Sequence, residues 1–233
     1  HTYSPQQINC YILDYSSRML KRFGVLPHCG AVLLEEDTDL LDAFFELLNG
    51  IVAERKRKFS AWGVDNYTAA KQIENIPLIL VFIDNISGLG TSDTGDQHLY
   101  RLQNYMKDGL NYGIKYIVTC GHLNEMSTRL RQEFGHRLSF HARDKYEYGD
   151  ILDCRVEYTP PEYPGRGLVV EEGRPLEVQA AMIGAKLTDT EKNVYVTKKI
   201  TSLAEQTDMD GRAKRLKITS DTVSYDVFSD QFD

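Results

Sequence analysis

Between Ile76 and Ile83 the chain runs Ile-Pro-Leu-Ile-Leu-Val-Phe-Ile before it meets polar residues at Asp84 and Asn85. An apolar run without polar alternation fits a strand buried on both faces of a parallel sheet. A carboxylate at its C-terminal end lies where such sheets bind ligands. Ile8–Asp14 follows the turn-like Tyr3-Ser4-Pro5 and reads as another strand ending on a carboxylate; Gly30–Leu34 is a shorter one. From Asp37 to Phe59, Leu40, Leu41, Phe44, Leu47, Leu48, Ile51 and Val52 recur at helical spacing, with Asp37 or Thr38 as N-cap. That helix ends in Glu54-Arg55-Lys56-Arg57-Lys58, a cationic cluster. It reads as a solvated last turn complementing the helix dipole, with a nucleic-acid contact as the other reading.

Further along, the pattern predicts a helix over 97–110, a strand over 115–119, a helix over 124–134 and an alternating strand over 136–142. Pro160, Pro161 and Pro164 then break regular structure. Two short strands, Gly167–Val170 and Leu176–Ala180, flank the turn at Glu172-Gly173 and predict a hairpin. A terminal helix is expected over 188–204, with 208–233 as a linker or docking tail. Strands alternating with helices imply an α/β fold with a mostly parallel sheet and helices on both faces.

Composition narrows the partners. The chain has 233 residues, a net charge of −7 and a pI near 5.4, so its summed charge gives no basic footprint for nucleic acid. Cys10, Cys29, Cys120 and Cys154 are widely spaced with no Cys-x-x-Cys pair, which argues against zinc and a disulfide framework and for reduced thiols. No apolar run approaches the roughly 20 residues a membrane span needs, and no signal peptide opens the chain. A start at His1 suggests a piece of something larger.

The strand ending on Asp84 looks like the Walker B strand of a P-loop ATPase, whose Asp holds Mg²⁺ at the nucleotide phosphates. The other half of such a site needs Gly-x-x-x-x-Gly-Lys-Ser/Thr, and this chain contains no Gly-Lys pair. Ser87-Gly88-Leu89-Gly90-Thr91 follows the strand and precedes no Lys-bearing helix, so it reads as a loop.

Motif order then carries a family resemblance. Tyr3-Ser4-Pro5 with the strand ending on Asp14, Leu26-Pro27-His28, and the long helix ending Glu54-Arg55-Lys56-Arg57-Lys58-Phe59 before Gly63-Val64 together resemble the FtsK/SpoIIIE family of ATPases. Pro164-Gly165-Arg166-Gly167-Leu168, followed by a strand holding Gln179, is similar more narrowly to the type VII secretion ATPases EssC and EccC. The resemblance covers about residues 3 to 182, and Arg212 to Phe232 resembles the connector between ATPase modules.

The resemblance implies a RecA-like P-loop NTPase fold lacking its P-loop strand, and hence unpaired strand edges. Residues 1–184 would form a truncated module and 185–233 a terminal helix and tail. Asp84 would be the catalytic and metal-side residue for ATP and Mg²⁺; a carboxylate capping a turn is its other reading. Asn85 takes the position of the catalytic glutamate, and because an amide is no general base, hydrolysis there should be slow or absent. Thr119 and His122 fall on the family's sensor segment, which Thr119 fits and Gly121 and His122 do not. Arg137 matches an arginine that could face a neighbouring module, or else forms an ordinary salt bridge. Asp14 and His28 match family positions read as structural.

By the same resemblance the chain would be a degenerate or incomplete module of a type VII secretion motor, with weak or no ATP hydrolysis. Its partners would be neighbouring modules and small helical secreted substrates, on the cytoplasmic side of a membrane-anchored parent. An FtsK-type DNA translocase is the alternative, disfavoured by the acidic charge, Asn85 and the missing P-loop. A scaffold without nucleotide function is a third reading.

Overall fold

The apolar segments pair as their pattern predicts. In the computed structural model, which describes residues 3–90, 95–184 and 186–216, four strands form one parallel sheet. They are β1 (Ile8–Asp14), β2 (Cys29–Leu33), β3 (Leu78–Asp84) and β4 (Ile114–Val118), in the order β2-β1-β3-β4. β1 and β3 run in register over their whole length, from Ile8 opposite Leu78 to Asp14 opposite Asp84. β4 has no strand on its outer side among the described residues, the open edge expected of a sheet without a P-loop strand.

Burial of β3 differs from the uniform burial that its composition suggests. Ile79, Val81 and Ile83 are buried, and with Asn9, Tyr11 and Leu13 of β1 they form one closed face. Leu78, Leu80 and Phe82 on the opposite face are only half-buried, and beside them in β4 Ile117 is 49% exposed. The closed face lies under helix α1 (Thr38–Trp62), whose Phe44 meets Tyr11 with ring centroids 5.7 Å apart. Phe45 extends the same layer by stacking on Tyr105 of α3 (Gly95–Gly109) at 5.5 Å. A one-turn helix, α2 (Tyr67–Ala70), follows α1.

α1 runs to Trp62, one turn beyond the predicted end, because Gly63 supplies the left-handed residue (φ 68°) that closes its C-terminus. Asp37 is the residue before the helix, yet its carboxylate accepts from Leu34 N at 2.8 Å and makes no cap bond. The cationic cluster is corrected in one member. Arg55 follows Val52 by three residues on the inner stripe of α1 and is buried at 6% exposure. Its guanidinium donates to Pro77 O at 2.6 Å, to Gly113 O at 3.3 Å and to Tyr112 O. Lys58 pairs with Glu74 at 2.8 Å on the solvent side.

By Cα packing the chain divides into two units: the described residues of His1–Cys120 and Ile200–Asp233, and those of Gly121–Lys199. In the second unit β5 (Leu138–Ser139), β6 (Arg166–Glu171) and β7 (Arg174–Gln179) form an antiparallel sheet in that order. Glu172 (φ 50°) and Gly173 (φ 75°) give the hairpin its two left-handed turn residues, as the sequence led us to expect.

Two predictions shrink here. The helix expected over 124–134 is the single turn α4 (Thr128–Arg131), capped by Ser127, and the strand expected over 136–142 keeps only two residues. One helix was missed, α5 (Lys145–Leu152). Asp144 caps it by accepting from Tyr146 N at 2.8 Å and Glu147 N at 3.0 Å, and Tyr148 and Leu152 pack on Ala142, Val156 and Leu168. The Asp-x-x-Glu spacing of Asp144 and Glu147 was its legible signal. Asp144→Ala should destabilise this helix through loss of its cap, read as a lower urea midpoint at unchanged slope.

The last helix, α6 (Asp189–Gln206), fits the predicted terminal helix, and the division between the units falls within it. Beyond it, Ala213 is buried and donates to Pro27 O at 2.9 Å, and Tyr11 Oη donates to Lys214 O at 2.8 Å. The tail read from the sequence is thus packed through this stretch, while 217–233 lies outside the described residues. Among the described residues no helix is long and apolar enough to cross a membrane.

Candidate functional site

Parallel pairing puts the C-terminal ends of β1, β3 and β4 side by side, which brings Asp14, Asp84 and Thr119 to one edge of the sheet. Two carboxylates in register have different work. Asp14 is 1% exposed, and its oxygens accept from Arg18 N at 3.1 Å and Leu20 N at 2.8 Å, holding the 3₁₀ segment Met19–Val25 in place. His28 is likewise held locally, with Nε2 2.9 Å from Tyr3 O.

Asp84 is half-buried and makes a different contact. Its Oδ1 accepts from Thr119 Oγ1 at 2.7 Å, and the same hydroxyl accepts from Asn85 N at 2.9 Å. Backbone bonds lock the arrangement: Thr119 N donates to Ile83 O at 2.9 Å and Ile86 N to Thr119 O at 3.0 Å.

Asn85 sits in the left-handed region at φ 64°, where Asn is better tolerated than most residues. Both ends of its amide shape the loop. Nδ2 donates to Tyr15 O at 3.3 Å, and Oδ1 accepts from Ser87 Oγ at 2.6 Å. The side chain offers no base for activating water. The glycine-rich stretch after it forms a 3₁₀ turn, Ile86–Gly90, with Ile86 and Leu89 buried. Glycine at 88 is required because a Cβ there would stand 2.5 Å from Tyr15 Cβ. Thr91 lies outside the described residues.

Tyr15 and Ser87 are the members that sequence reasoning missed. Tyr15 follows a strand-end Asp in a parallel sheet, which was the available signal. Its phenol is pushed well above the usual range by burial, reinforced by the nearby charges of Asp37 and Glu35.

His122 and Arg137 belong to the other unit. His122 is exposed just before the 3₁₀ turn Leu123–Glu125. Arg137 donates to Arg131 O at 3.0 Å and Ile151 O at 3.4 Å, tying the ends of α4 and α5 in place of forming a salt bridge there. Within the first unit the grouped residues are Asp84, Asn85 and Thr119.

Their donor set suits half of a nucleotide site. Mg²⁺ commonly takes one or two carboxylates, with waters and phosphate oxygens completing its shell. Asp84 and the Thr119 hydroxyl fit that part, while Asp14 is already saturated by backbone N–H groups. Among the described residues no cluster of three or more His, Cys, Asp or Glu could hold a metal by itself.

The FtsK/SpoIIIE family model matches residues 1–215. The chain belongs to the FtsK/SpoIIIE family. Among curated relatives, the ESX secretion system protein EccC of Thermomonospora curvata is 25% identical over 179 residues, covering 71% of this chain and 13% of EccC. The chain therefore spans a small part of that relative. Among solved structures, EssC (ATPases 2 and 3) from Geobacillus thermodenitrificans superposes with a TM-score of 0.84 at 21% identity, over 98% of this chain and 44% of that one. Thermomonospora curvata EccC (ATPases 2 and 3) in complex with a signal sequence peptide gives 0.77 at 18% identity, over 96% of this chain and 41% of that one. This FtsK/SpoIIIE-family chain has the P-loop NTPase fold, with the mostly parallel sheet described above.

Proposed function

We propose that this chain is an ATPase module of a type VII secretion motor that binds nucleotide weakly and hydrolyses it slowly or not at all. The observation that carries it is Asn85. At the strand end beside Asp84, where water would be activated, an amide stands with both its donor and its acceptor committed to the loop. Asp84, oriented by Thr119, would face Mg²⁺ and through it the phosphates of ATP, supplying negative charge to the ion. Thr119 holds the carboxylate rotamer through its 2.7 Å bond. Export would then depend on contacts with neighbouring modules and with small helical secreted substrates on the cytoplasmic side. The signal-peptide complex of the EccC relative supports that last part. Net charge of −7 weighs against a DNA translocase.

The test compares wild type with Asn85→Glu and Asp84→Asn in the complete parent protein, reading ATP·Mg²⁺ binding by calorimetry and phosphate release. Expected are negligible turnover through this site in wild type, and turnover about 10²–10⁴-fold higher in Asn85→Glu, the usual contribution of a general base. Asp84→Asn should weaken Mg²⁺-dependent binding at this site. Ordinary turnover through the wild-type site would refute the degenerate reading. Absence of binding in all three would leave a module that only holds partners.

A further inference from the structure

Two of the four cysteines, far apart in sequence, meet in the fold. Parallel pairing of β1 with β2 sets Cys10 directly opposite Cys29. Neighbouring strands lie about 4.7–4.9 Å apart, inside the Cα separation of about 4.4–6.8 Å that a disulfide spans. The ladder is irregular between Cys10 and Tyr11, so the pair stands where the pairing already departs from ideal. Both thiols are free, and the Cys10 thiol is hydrogen-bonded to Cys29. Cys29 is buried and lies 3.4 Å from Ala31 O; Cys10 is partly exposed.

The two sulfurs share their acidity unequally. The Cys29 thiol is shifted down, first by the hydrogen bond from Cys10, with the Ala31 backbone and the charge of Arg215 adding to it against the penalty of burial. Cys10 is shifted up by the same hydrogen bond, by burial and by the neighbouring Cys29 charge. A first proton therefore leaves the pair with the charge on Cys29 and the remaining proton between the sulfurs.

We propose that Cys10 and Cys29 are a redox-active dithiol, a modification site that a peroxide converts to a reversible disulfide. The thiolate forms on Cys29, with the remaining proton held by Cys10, the partly exposed member of the pair. That thiolate attacks a peroxide oxygen: an S–O bond forms, the O–O bond breaks, and the departing oxygen takes a proton and leaves as water or an alcohol. Cys10 then gives up its proton and attacks the Cys29 sulfur. The S–S bond forms, the S–O bond breaks, and hydroxide leaves with that proton as water. Two thiols lose two electrons, and the peroxide gains them.

Hydrogen peroxide added to the native chain tests this, followed by alkylation in denaturant, intact mass and peptide mapping before and after a reductant. Expected is loss of two alkylatable thiols, a mass lower by two hydrogens, a peptide joining Cys10 to Cys29, and full recovery on reduction. A Cys120→Ser/Cys154→Ser double variant should behave identically. Three outcomes overturn the proposal: four thiols still alkylated, either cysteine of the pair oxidised to sulfinic acid with no crosslink, or a crosslink that maps to Cys120 or Cys154.

Discussion

Arg55→Ala should lower the stability of the first unit by about 3–5 kcal/mol, from three buried carbonyls left without a donor and the cavity of the lost stem. Arg55 serves three backbone carbonyls, those of Pro77, Tyr112 and Gly113, which join the loop before β3 to the turn before β4. Each buried acceptor left without a donor costs about 1–3 kcal/mol, and the vacated stem adds a cavity. Burial opposes this gain, since it pulls the guanidinium pKa down to about 10. The hydrogen bonds outweigh that cost because three acceptors depend on one donor group. Arg55→Lys should recover only part of the loss, as an ammonium is a point donor without the planar fork. Arg55→Met keeps the volume and isolates the hydrogen-bond share. Urea denaturation measures all three, and a loss below about 1 kcal/mol for Arg55→Ala would show that water satisfies those carbonyls.

The second large effect is alkaline unfolding. Tyr11, Tyr15 and Tyr116 are all shifted above the ordinary phenol value by burial. Tyr11 also faces Cys29 and Cys10 on the raising side and Arg55 on the lowering side, Tyr15 faces Asp37 and Glu35, and Tyr116 faces Tyr105. A phenol whose pKa is raised by folding contributes stability that is complete below pH 10 and is lost as pH rises above it, because the unfolded chain releases its proton first. Arg55 acts in the opposite sense from about pH 10 upward, since its pKa falls on folding from 12.5 to about 10. Tyr67 and Tyr158 are also shifted up by burial, so the raised phenols outnumber the one guanidinium. Stability should therefore fall as pH rises above 10, by about 1.4 kcal/mol per pH unit for each proton in excess. Denaturant midpoints across that range, followed with the tyrosinate absorbance band, check it; a flat profile would mean that these phenols ionise in the folded state as they do in the unfolded chain.

Much of the first unit was legible before its structure. Apolar strands ending on carboxylates are short-range patterns, so β1 appears at its predicted bounds and β3 begins two residues after its apolar run does. The long stripe of α1 was equally plain. Asp84 and Thr119 were named separately, and their 2.7 Å bond follows once two parallel strands are adjacent. The second unit was harder. Its β5 and α4 are too short to show a period, and α5 was signalled only by a cap.

What the sequence determined alone is therefore local: strand and helix identity, the hairpin turn at Glu172-Gly173, the missing Gly-Lys, and the amide at position 85. These depend on side chains within a few residues of one another. Tertiary structure decided everything that needs register. It turned Arg55 from a solvated end charge into an internal donor, left one face of β3 half-open, used both ends of Asn85 on residues from two different loops, and set Cys10 against Cys29. The physical reason is common to all four. Which groups meet across a sheet depends on how strands are ordered and aligned, and that order comes from packing the whole core at once.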